Sequence, residues 1–249
     1  MIAALPMYDR PENRAAHDAL WHLIRDGLRA RGIDAPEALD RETDYMDGWG
    51  RPDLVLGQIC NLPWRARFRD RVVLIGASDY GLPGAEPGEY YSVIVARADD
   101  PVPGPRFALN DPLSNSGWDA PQDWARRNGV PLRPVIVTGS HLGSLRAVAE
   151  GRANLAGIDA ITFRNLQRWE PLAAGLRVLG RTASSPGMSF VTAPGRDPVP
   201  YREAIREAIA ALPGWASDDL GLRGLTILPP SAYGRPLPPA PLVEEASRA

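Results

Sequence analysis

Residues 106–129 read RFALNDPLSNSGWDAPQDWARRNG and contain the strongest local signal in the chain. The run Arg106–Leu109 predicts a strand, a short polar loop follows, and Trp118 to Asn128 predicts a helix that Gly129 ends. A strand that leads through a short loop into a helix is the repeating unit of α/β sheets. We therefore expect this segment to be one unit of such a sheet.

The same alternation extends outward on both sides of this segment. Predicted strands cover residues 2–6, 53–57, 71–76, 90–97, 134–138, 154–158, 177–181 and 188–192. Predicted helices cover residues 15–28, 140–150, 161–169 and 201–212. Strands that alternate with helices favour an α/β fold with mainly parallel pairing.

Composition breaks divide the chain into two predicted lobes. The polar, proline-rich stretch 98–105 is typical of a lobe boundary. We expect lobe 1 to be discontinuous, with residues 1–97 and 190–249, and lobe 2 to cover residues 98–189. Residues 229–249 form a proline-rich C-terminal tail, which we expect to be extended or to lie as a strap over the surface.

The composition excludes several classes of function. The 249 residues carry 28 basic and 30 acidic side chains, a net charge of −2, so nucleic-acid binding is disfavoured. Every basic side chain is arginine, and the absence of lysine excludes a Schiff-base lysine and a P-loop. A single cysteine excludes a multi-cysteine zinc site, and three histidines disfavour a histidine-rich metal cluster. We predict neither a cofactor nor a metal.

The sequence also bears on location. No apolar stretch reaches the roughly 18 residues that a membrane span requires. No secretory signal precedes the first predicted strand. We expect a periplasmic location if a signal has been removed and a cytoplasmic location otherwise.

The loop of the quoted segment predicts an anion site. Ser114 and Ser116 precede a helix, whose first N–H groups lack intrahelical partners and carry partial positive charge. Their hydroxyls, together with backbone N–H groups near Gly117, can surround a phosphate or a carboxylate. The alternative interpretation of these residues is a well-capped helix start.

Two further strand ends carry polar residues of the same kind. Ser140 and His141 follow a predicted strand and open a helix, where a neutral histidine can donate one N–H to an anion. Asp159 ends the next strand. Strand ends in one α/β lobe share an edge of the sheet, which is where ligands bind in open sheets. The alternative interpretations are a partly exposed His141 and a helix-capping Asp159.

Three tyrosines stand where aromatic side chains can line a ligand site. Tyr8 follows the first strand, and Tyr90 and Tyr91 open the strand that leads into the second lobe. A phenol has an apolar ring and a polar tip, which suits a site with apolar walls and a polar centre. The alternative interpretation of each is a core or edge tyrosine.

Five short motifs occur in a fixed order: LPMY (5–8), YYSVIV (90–95), NDPLSNSG (110–117), TGSH (138–141) and AGID (156–159). In this set the chain resembles the phosphate/phosphite/phosphonate substrate-binding proteins of ABC transporters, the PhnD-like group. The resemblance covers about residues 1–195. It implies the type II periplasmic-binding-protein fold, in which two α/β lobes are joined by two crossover strands and the ligand lies in the cleft.

The resemblance also implies residue roles. Ser114, Asn115 and Ser116 are expected to bind the phosphonate oxygens, and His141 to contact the same anion. Asn115 departs from the family pattern, in which a threonine is usual. Asp159 corresponds to an aspartate of the family's binding site, where carboxylates hold the amine of aminoalkyl ligands.

The expected function is that of a non-enzymatic protein that captures a small phosphorus oxyanion or organophosphonate, with an ABC permease as partner if it is exported. Tyr8 and either Tyr90 or Tyr91 would line its cleft. A second hypothesis is a cytoplasmic enzyme of the same fold, similar to the menaquinone-pathway dehydratases or thiamine-pyrimidine synthases, acting on a small organic acid. His141 and Asp159 would then be the acid–base pair. A third hypothesis is a cytoplasmic ligand sensor.

Overall fold

The chain forms two compact units in a computed structural model that describes residues 1–243. Unit 1 contains Met1–Glu89 and Pro186–Gly234. Unit 2 contains Tyr90–Ser185 and the C-terminal segment that begins at Arg235. Each unit has its own sheet and helices, so the predicted α/β class is confirmed.

The strands follow one another in both units. In chain order they are β1 (Ile2–Ala4), β2 (Leu54–Ile59), β3 (Val73–Asp79), β4 (Glu89–Tyr90), β5 (Ser92–Arg97), β6 (Arg106–Leu109), β7 (Arg133–Val137), β8 (Leu155–Asp159), β9 (Leu176–Arg181), β10 (Ser185–Pro186), β11 (Ser189–Thr192) and β12 (Gly224–Thr226).

The helices lie between these strands. In chain order they are α1 (Arg14–Ala30), α2 (Tyr45–Trp49), α3 (Asn61–Pro63), α4 (Ala120–Asn128), α5 (His141–Ala149), α6 (Ala160–Trp169), α7 (Val199–Ala211) and α8 (Gly214–Leu220). Two π-helical turns, Trp64–Phe68 and Asn115–Asp119, run directly into or out of these helices. Short 3-10 turns cover Pro11–Asn13, Pro171–Gly175 and Pro230–Tyr233.

The sheet of unit 1 has the strand order β1-β2-β11-β3-β12. β1 and β2 run parallel, whereas β11 is antiparallel to both β2 and β3. β12 is antiparallel to β3. Every residue of β2 and β11 is buried, so these central strands form the middle of the core of this unit.

The sheet of unit 2 has the order β7-β6-β8-β5-β9. β6 runs parallel to β7 and to β8, and β5 is antiparallel to β8 and β9. The carboxyl ends of β6, β7 and β8 therefore lie at one edge of the sheet. Each of these strands leads through that edge to a helix start, which places the predicted polar residues there.

The prediction of mainly parallel pairing is wrong. In each sheet one strand, β11 in unit 1 and β5 in unit 2, runs antiparallel to both of its neighbours. Central strands buried on both faces have near-continuous apolar sequences whatever their direction, so the apolar runs did not encode it. The pairing in each sheet is mixed.

The unit boundaries differ from the predicted lobe boundaries. β5 pairs with β8 and β9, so the chain enters unit 2 at Tyr90 rather than after residue 97. The proline-rich stretch 98–105 is consequently a loop within unit 2. The chain leaves this unit after Ser185, before the predicted crossing at residue 189.

The C-terminal tail is shared between the two units. Tyr233 is buried in the apolar core of unit 1. Residues 235–243 of the tail belong to unit 2. The Arg235 guanidinium lies 2.6 Å from the Asp123 carboxylate, and the indole N–H of Trp118 donates to the carbonyl of Pro239 at 2.9 Å. Residues 244–249 of the predicted tail lie outside the described residues.

The core of unit 2 holds the Asn115–Asp119 turn against the sheet. Buried apolar side chains from β5, β6, β8, the turn and α4 pack together in one cluster, which includes Ile94, Phe107, Leu109, Trp118, Trp124 and Leu155. Within residues 1–243, none of the helices combines the length and the apolar character needed to cross a membrane.

Gly129 supplies a first test of the fold. It ends α4 in the left-handed region, with φ 64°, and its N–H donates to the carbonyl of Ala125. Gly129→Ala should lower the free energy of unfolding by about 1–2 kcal/mol, because an L-residue is strained in that conformation. Chemical denaturation measures this loss. A matched control is Gly175→Ala, which has open space for a Cβ and no positive φ and should cause no comparable loss. Equal losses at the two positions would contradict this explanation.

Candidate anion-binding site

The first helix start of unit 2 follows β6 and opens at Asn115. The Ser114 hydroxyl oxygen accepts from the N–H of Gly117 at 2.9 Å and so caps the turn. Because that oxygen acts as an acceptor here, its own proton stays available for donation to another group. The first N–H groups of the turn carry partial positive charge, so the position suits an anion.

The second helix start follows β7 and opens α5. The Ser140 hydroxyl oxygen accepts from the N–H of Gly143 at 2.9 Å. The N–H of Thr138 donates to the carbonyl of Leu109 at 2.9 Å, and the N–H of Gly139 donates to the carbonyl of Asn110 at 3.0 Å. These bonds tie the end of β7 to the end of β6, so the two helix starts lie side by side.

Three side chains join the two helix starts in one hydrogen-bonded chain. The hydroxyl oxygens of Ser114 and Ser116 are 3.3 Å apart. The Ser116 hydroxyl lies 2.8 Å from Nε2 of His141, the first residue of α5. Residues predicted from two separate motifs, 25 positions apart, therefore meet in one place.

The His141 ring is neutral at pH 7. Burial lowers the pKa of His141 to about 4, and the backbone of Gly157 opposes this shift only in part. A neutral imidazole has one N–H to donate and one nitrogen that accepts. An anion bound at this place would meet hydroxyl, imidazole and backbone dipoles.

Two glycines allow the Asn115–Asp119 turn to sit this close to the sheet. A Cβ on Gly117 would overlap the carboxamide oxygen of Asn110. A Cβ on Gly157, in β8, would overlap the ring of Pro121 and stand 3.0 Å from the carbonyl oxygen of Ser116. The predicted role of Gly117 is thus accompanied by a steric requirement that its motif did not reveal.

Asn115 is fully buried, and its side chain contacts the segments by which the chain enters and leaves unit 2. Its carboxamide nitrogen donates to the Tyr90 hydroxyl and to the Ser185 hydroxyl, both at 3.1 Å. Its carboxamide oxygen is buried and makes no hydrogen bond within the described residues. Direct contact of this side chain with an anion stays a prediction.

The remaining predicted residues lie in other surroundings. Asp159 is buried, and one carboxylate oxygen accepts from the N–H groups of Ile161 and Thr162 at 2.8 and 2.9 Å. It therefore caps α6. The Arg181 guanidinium lies 5.1 Å from the ring centre of Tyr91. Ligand contacts of Asp159 and Tyr91 stay predictions.

Tyr8 belongs to unit 1. Its ring packs edge-on against Tyr80, with ring centres 5.0 Å apart, and its carbonyl accepts from the Asn13 carboxamide at 3.1 Å. The predicted ligand contact of Tyr8 stays a prediction as well.

Unit 2 thus brings together Tyr90, Ser114, Asn115, Ser116 and His141 through hydrogen bonds. Sequence reasoning missed Asn110 and Ser185. Asn110 was within reach, because it is the first polar residue after β6, whereas no local pattern marked Ser185. Across residues 1–243, no group of three or more His, Cys, Asp or Glu side chains is placed to hold a metal.

The lowered pKa of His141 gives a pH prediction. The unfolded state binds a proton near pH 6.5 and the folded state only near pH 4. The contribution of His141 to the free energy of unfolding is therefore fully present above pH 6.5 and is lost as the pH falls through 4. NMR titration of the ring should show a neutral His141 down to about pH 4.

A variant separates this effect from that of other groups. Burial also lowers the pKa of His17 in unit 1, so the wild-type protein has more than one source of acid destabilisation. His141→Gln should lose less free energy of unfolding than the wild type between pH 6.5 and 4. A ring that titrates near 6.5, or a variant with unchanged pH dependence, would refute this assignment.

The sequence model of one family matches residues 64–227; the family is described as "ABC transporter, phosphonate, periplasmic substrate-binding protein". No curated protein sequence matches the chain at a significant level.

Solved structures share the fold at low sequence identity. PhnD1 from Prochlorococcus marinus, in complex with methylphosphonate, has a TM-score of 0.68 at 16% identity over 93% of this chain and 94% of that chain. A binding protein component of an ABC phosphonate transporter from Pseudomonas aeruginosa has a TM-score of 0.65 at 17% identity over 91% and 80%. XAC2383 from Xanthomonas citri, bound to ATP, has a TM-score of 0.66 at 16% identity over 93% and 92%.

These likenesses confirm the predicted type II periplasmic-binding-protein fold. The family match covers more than half of the chain. Proteins of this family are non-catalytic and bind a solute for an ABC permease, and the family is described as periplasmic. The chain therefore belongs to the periplasmic substrate-binding proteins of phosphonate ABC transporters.

Proposed function

We propose that unit 2 binds a small phosphorus oxyanion or organophosphonate at the two helix starts opened by Asn115 and His141. The observation that carries this proposal is the hydrogen-bonded chain of Ser114, Ser116 and His141, with distances of 3.3 and 2.8 Å. It sets hydroxyl and imidazole groups beside the first N–H groups of two helices. A tetrahedral anion with several acceptor oxygens matches such a set of donors.

The comparisons support the ligand class. The family is one of phosphonate transport, and the solved structure of PhnD1 from Prochlorococcus marinus contains methylphosphonate. We assign the anion contacts to Ser114, Ser116, His141 and backbone N–H groups near Gly117, with Ser140 at the rim as the cap of α5. Once exported to the periplasm, the protein would release its solute to an ABC permease.

We infer further that the protein does not transform its ligand. The Ser116–His141 distance of 2.8 Å is that of a nucleophile and its base, but a pKa of about 4 makes His141 a weak base at pH 7. The second ring nitrogen, Nδ1, has no carboxylate to orient it within the described residues. Asp159, the other acid–base candidate, caps α6.

A thermal-shift screen tests the ligand class. It would compare phosphate, phosphite, methylphosphonate, 2-aminoethylphosphonate, sulfate and small carboxylates. A ligand at about 100 times its Kd stabilises the folded state by roughly 2.7 kcal/mol, which raises the Tm measurably. A selective rise with phosphorus anions is expected. A flat response to all of them would refute the proposed ligand class.

Ser116→Ala tests the site itself. We expect it to weaken binding of the best phosphorus anion by about 1–3 kcal/mol, roughly five- to 150-fold in Kd, because it removes the hydroxyl that links Ser114 to His141. Isothermal titration calorimetry measures the change. Ser231→Ala, at an exposed position of unit 1, is the matched control and should leave the Kd unchanged. An unchanged Kd in Ser116→Ala would rule out this location.

A further inference from the structure

We infer that Asn115 is a positioning residue that couples the anion-binding turn to the two segments by which the chain enters and leaves unit 2. The inference deepens the proposed function and rests on it. Asn115 lies between Ser114 and Ser116, which we assign to the anion. Its side chain, however, bonds to Tyr90 and Ser185, the residues at which the main stretch of unit 2 begins and ends.

The geometry of this contact is that of a bridge. A carboxamide nitrogen carries two protons in a fixed plane, and each points to a different hydroxyl oxygen, with both distances at 3.1 Å. A hydroxyl both donates and accepts, so the bridge is kept in either orientation of the carboxamide. The two hydroxyls come from positions 25 and 70 residues away in sequence. One side chain thus fixes both segments relative to the turn.

Burial makes this bridge sensitive to loss. Asn115, Tyr90 and Ser185 have exposed fractions of 0%, 2% and 4%, so water cannot replace a missing partner without entering the core. The carboxamide oxygen of Asn115 is itself buried without a partner in the described residues. A buried carboxamide here has a desolvation cost that an apolar side chain of similar size would not have. The hydrogen bonds to Tyr90 and Ser185 are what the carboxamide provides in return.

Next to these two segments, the chain is held together independently of Asn115. The N–H of Ser92 donates to the Thr182 hydroxyl at 3.0 Å, and the N–H of Thr182 donates to the carbonyl of Ser92 at 2.9 Å. This pair of hydrogen bonds does not involve Asn115. Removal of the Asn115 side chain should therefore leave the segments paired and disconnect them only from the turn.

This arrangement predicts how an anion changes the dynamics of unit 2. An anion that fixes residues 114–117 also fixes the Asn115 side chain, and through it the hydroxyls of Tyr90 and Ser185. Opening motions of residues 90–92 and 184–185 should then become rarer, although these residues are not themselves among the anion contacts that we assign.

Amide hydrogen exchange on the full chain tests the coupling, with methylphosphonate and inorganic phosphate as probes. In the wild type, saturating anion should slow exchange at residues 90–92 and 184–185. In Asn115→Ala, the Kd should rise about tenfold, and saturating anion should no longer slow exchange in these segments. Asn165→Ala is the matched control, because Asn165 is a second buried asparagine of unit 2 whose carboxamide oxygen has no partner among residues 1–243. It should keep the slowing.

Tyr90→Phe and Ser185→Ala provide a second measurement that leaves Asn115 in place, should Asn115→Ala fail to fold. Each should reduce the anion-dependent slowing of amide exchange at residues 90–92 and 184–185. In the double variant, Tyr90→Phe should raise the Kd little beyond that of Asn115→Ala. Slowing that survives in Asn115→Ala, or in both hydroxyl variants, would overturn the inference. A wild type that binds none of the phosphorus anions of the thermal-shift screen would instead refute the proposed function, and the coupling with it.

Discussion

The Asn115–Asp119 turn, at which we propose that the anion binds, depends on two positions that have no room for a side chain. The absence of a Cβ on Gly157 lets the turn approach β8 so closely that the carbonyl oxygen of Ser116 would be 3.0 Å from such an atom. The absence of a Cβ on Gly117 lets the carboxamide of Asn110 pack against the turn. If either contact were forced open, the Ser116 hydroxyl would move away from the His141 ring, 2.8 Å distant. The hydrogen-bonded chain across the two helix starts is thus a consequence of close backbone packing.

Local signals in the sequence were sufficient to predict the elements that carry much of the proposed site. β6 coincides with the predicted strand. α5 begins directly after Ser140, because a hydroxyl cap at its start and a glycine after its end mark a helix within a few residues. Ser114, Ser116 and His141 were identifiable for the same reason: each stands at the start of a helix that follows a strand of one sheet. Parallel strands then bring such starts to a common edge without further information.

Long-range pairing was beyond these signals. The apolar run of β5 predicted a strand, yet nothing in it indicated an antiparallel position between β8 and β9, and the unit boundary was consequently placed after residue 97. The resemblance predicts an anion contact for Asn115, which stays a prediction, but no local signal indicated the bonds of its side chain to Tyr90 and Ser185, 25 and 70 residues away. A residue type within a motif indicates a backbone position; the direction of its side chain is decided by groups from elsewhere in the chain.

The donor groups at the proposed site are uncharged, and this would determine how the site discriminates between anions. At pH 7 the His141 ring is uncharged, and the serine hydroxyls and helix N–H groups contribute dipoles only. Dipoles act over short distances and depend on direction, whereas a cationic side chain attracts any anion over about 8 Å at physiological ionic strength. A hydroxyl that already accepts a cap bond, as Ser114 and Ser140 do, has one proton left and therefore requires an acceptor in one direction. An anion held in this way would be selected by the number and placement of its acceptor oxygens more than by its charge.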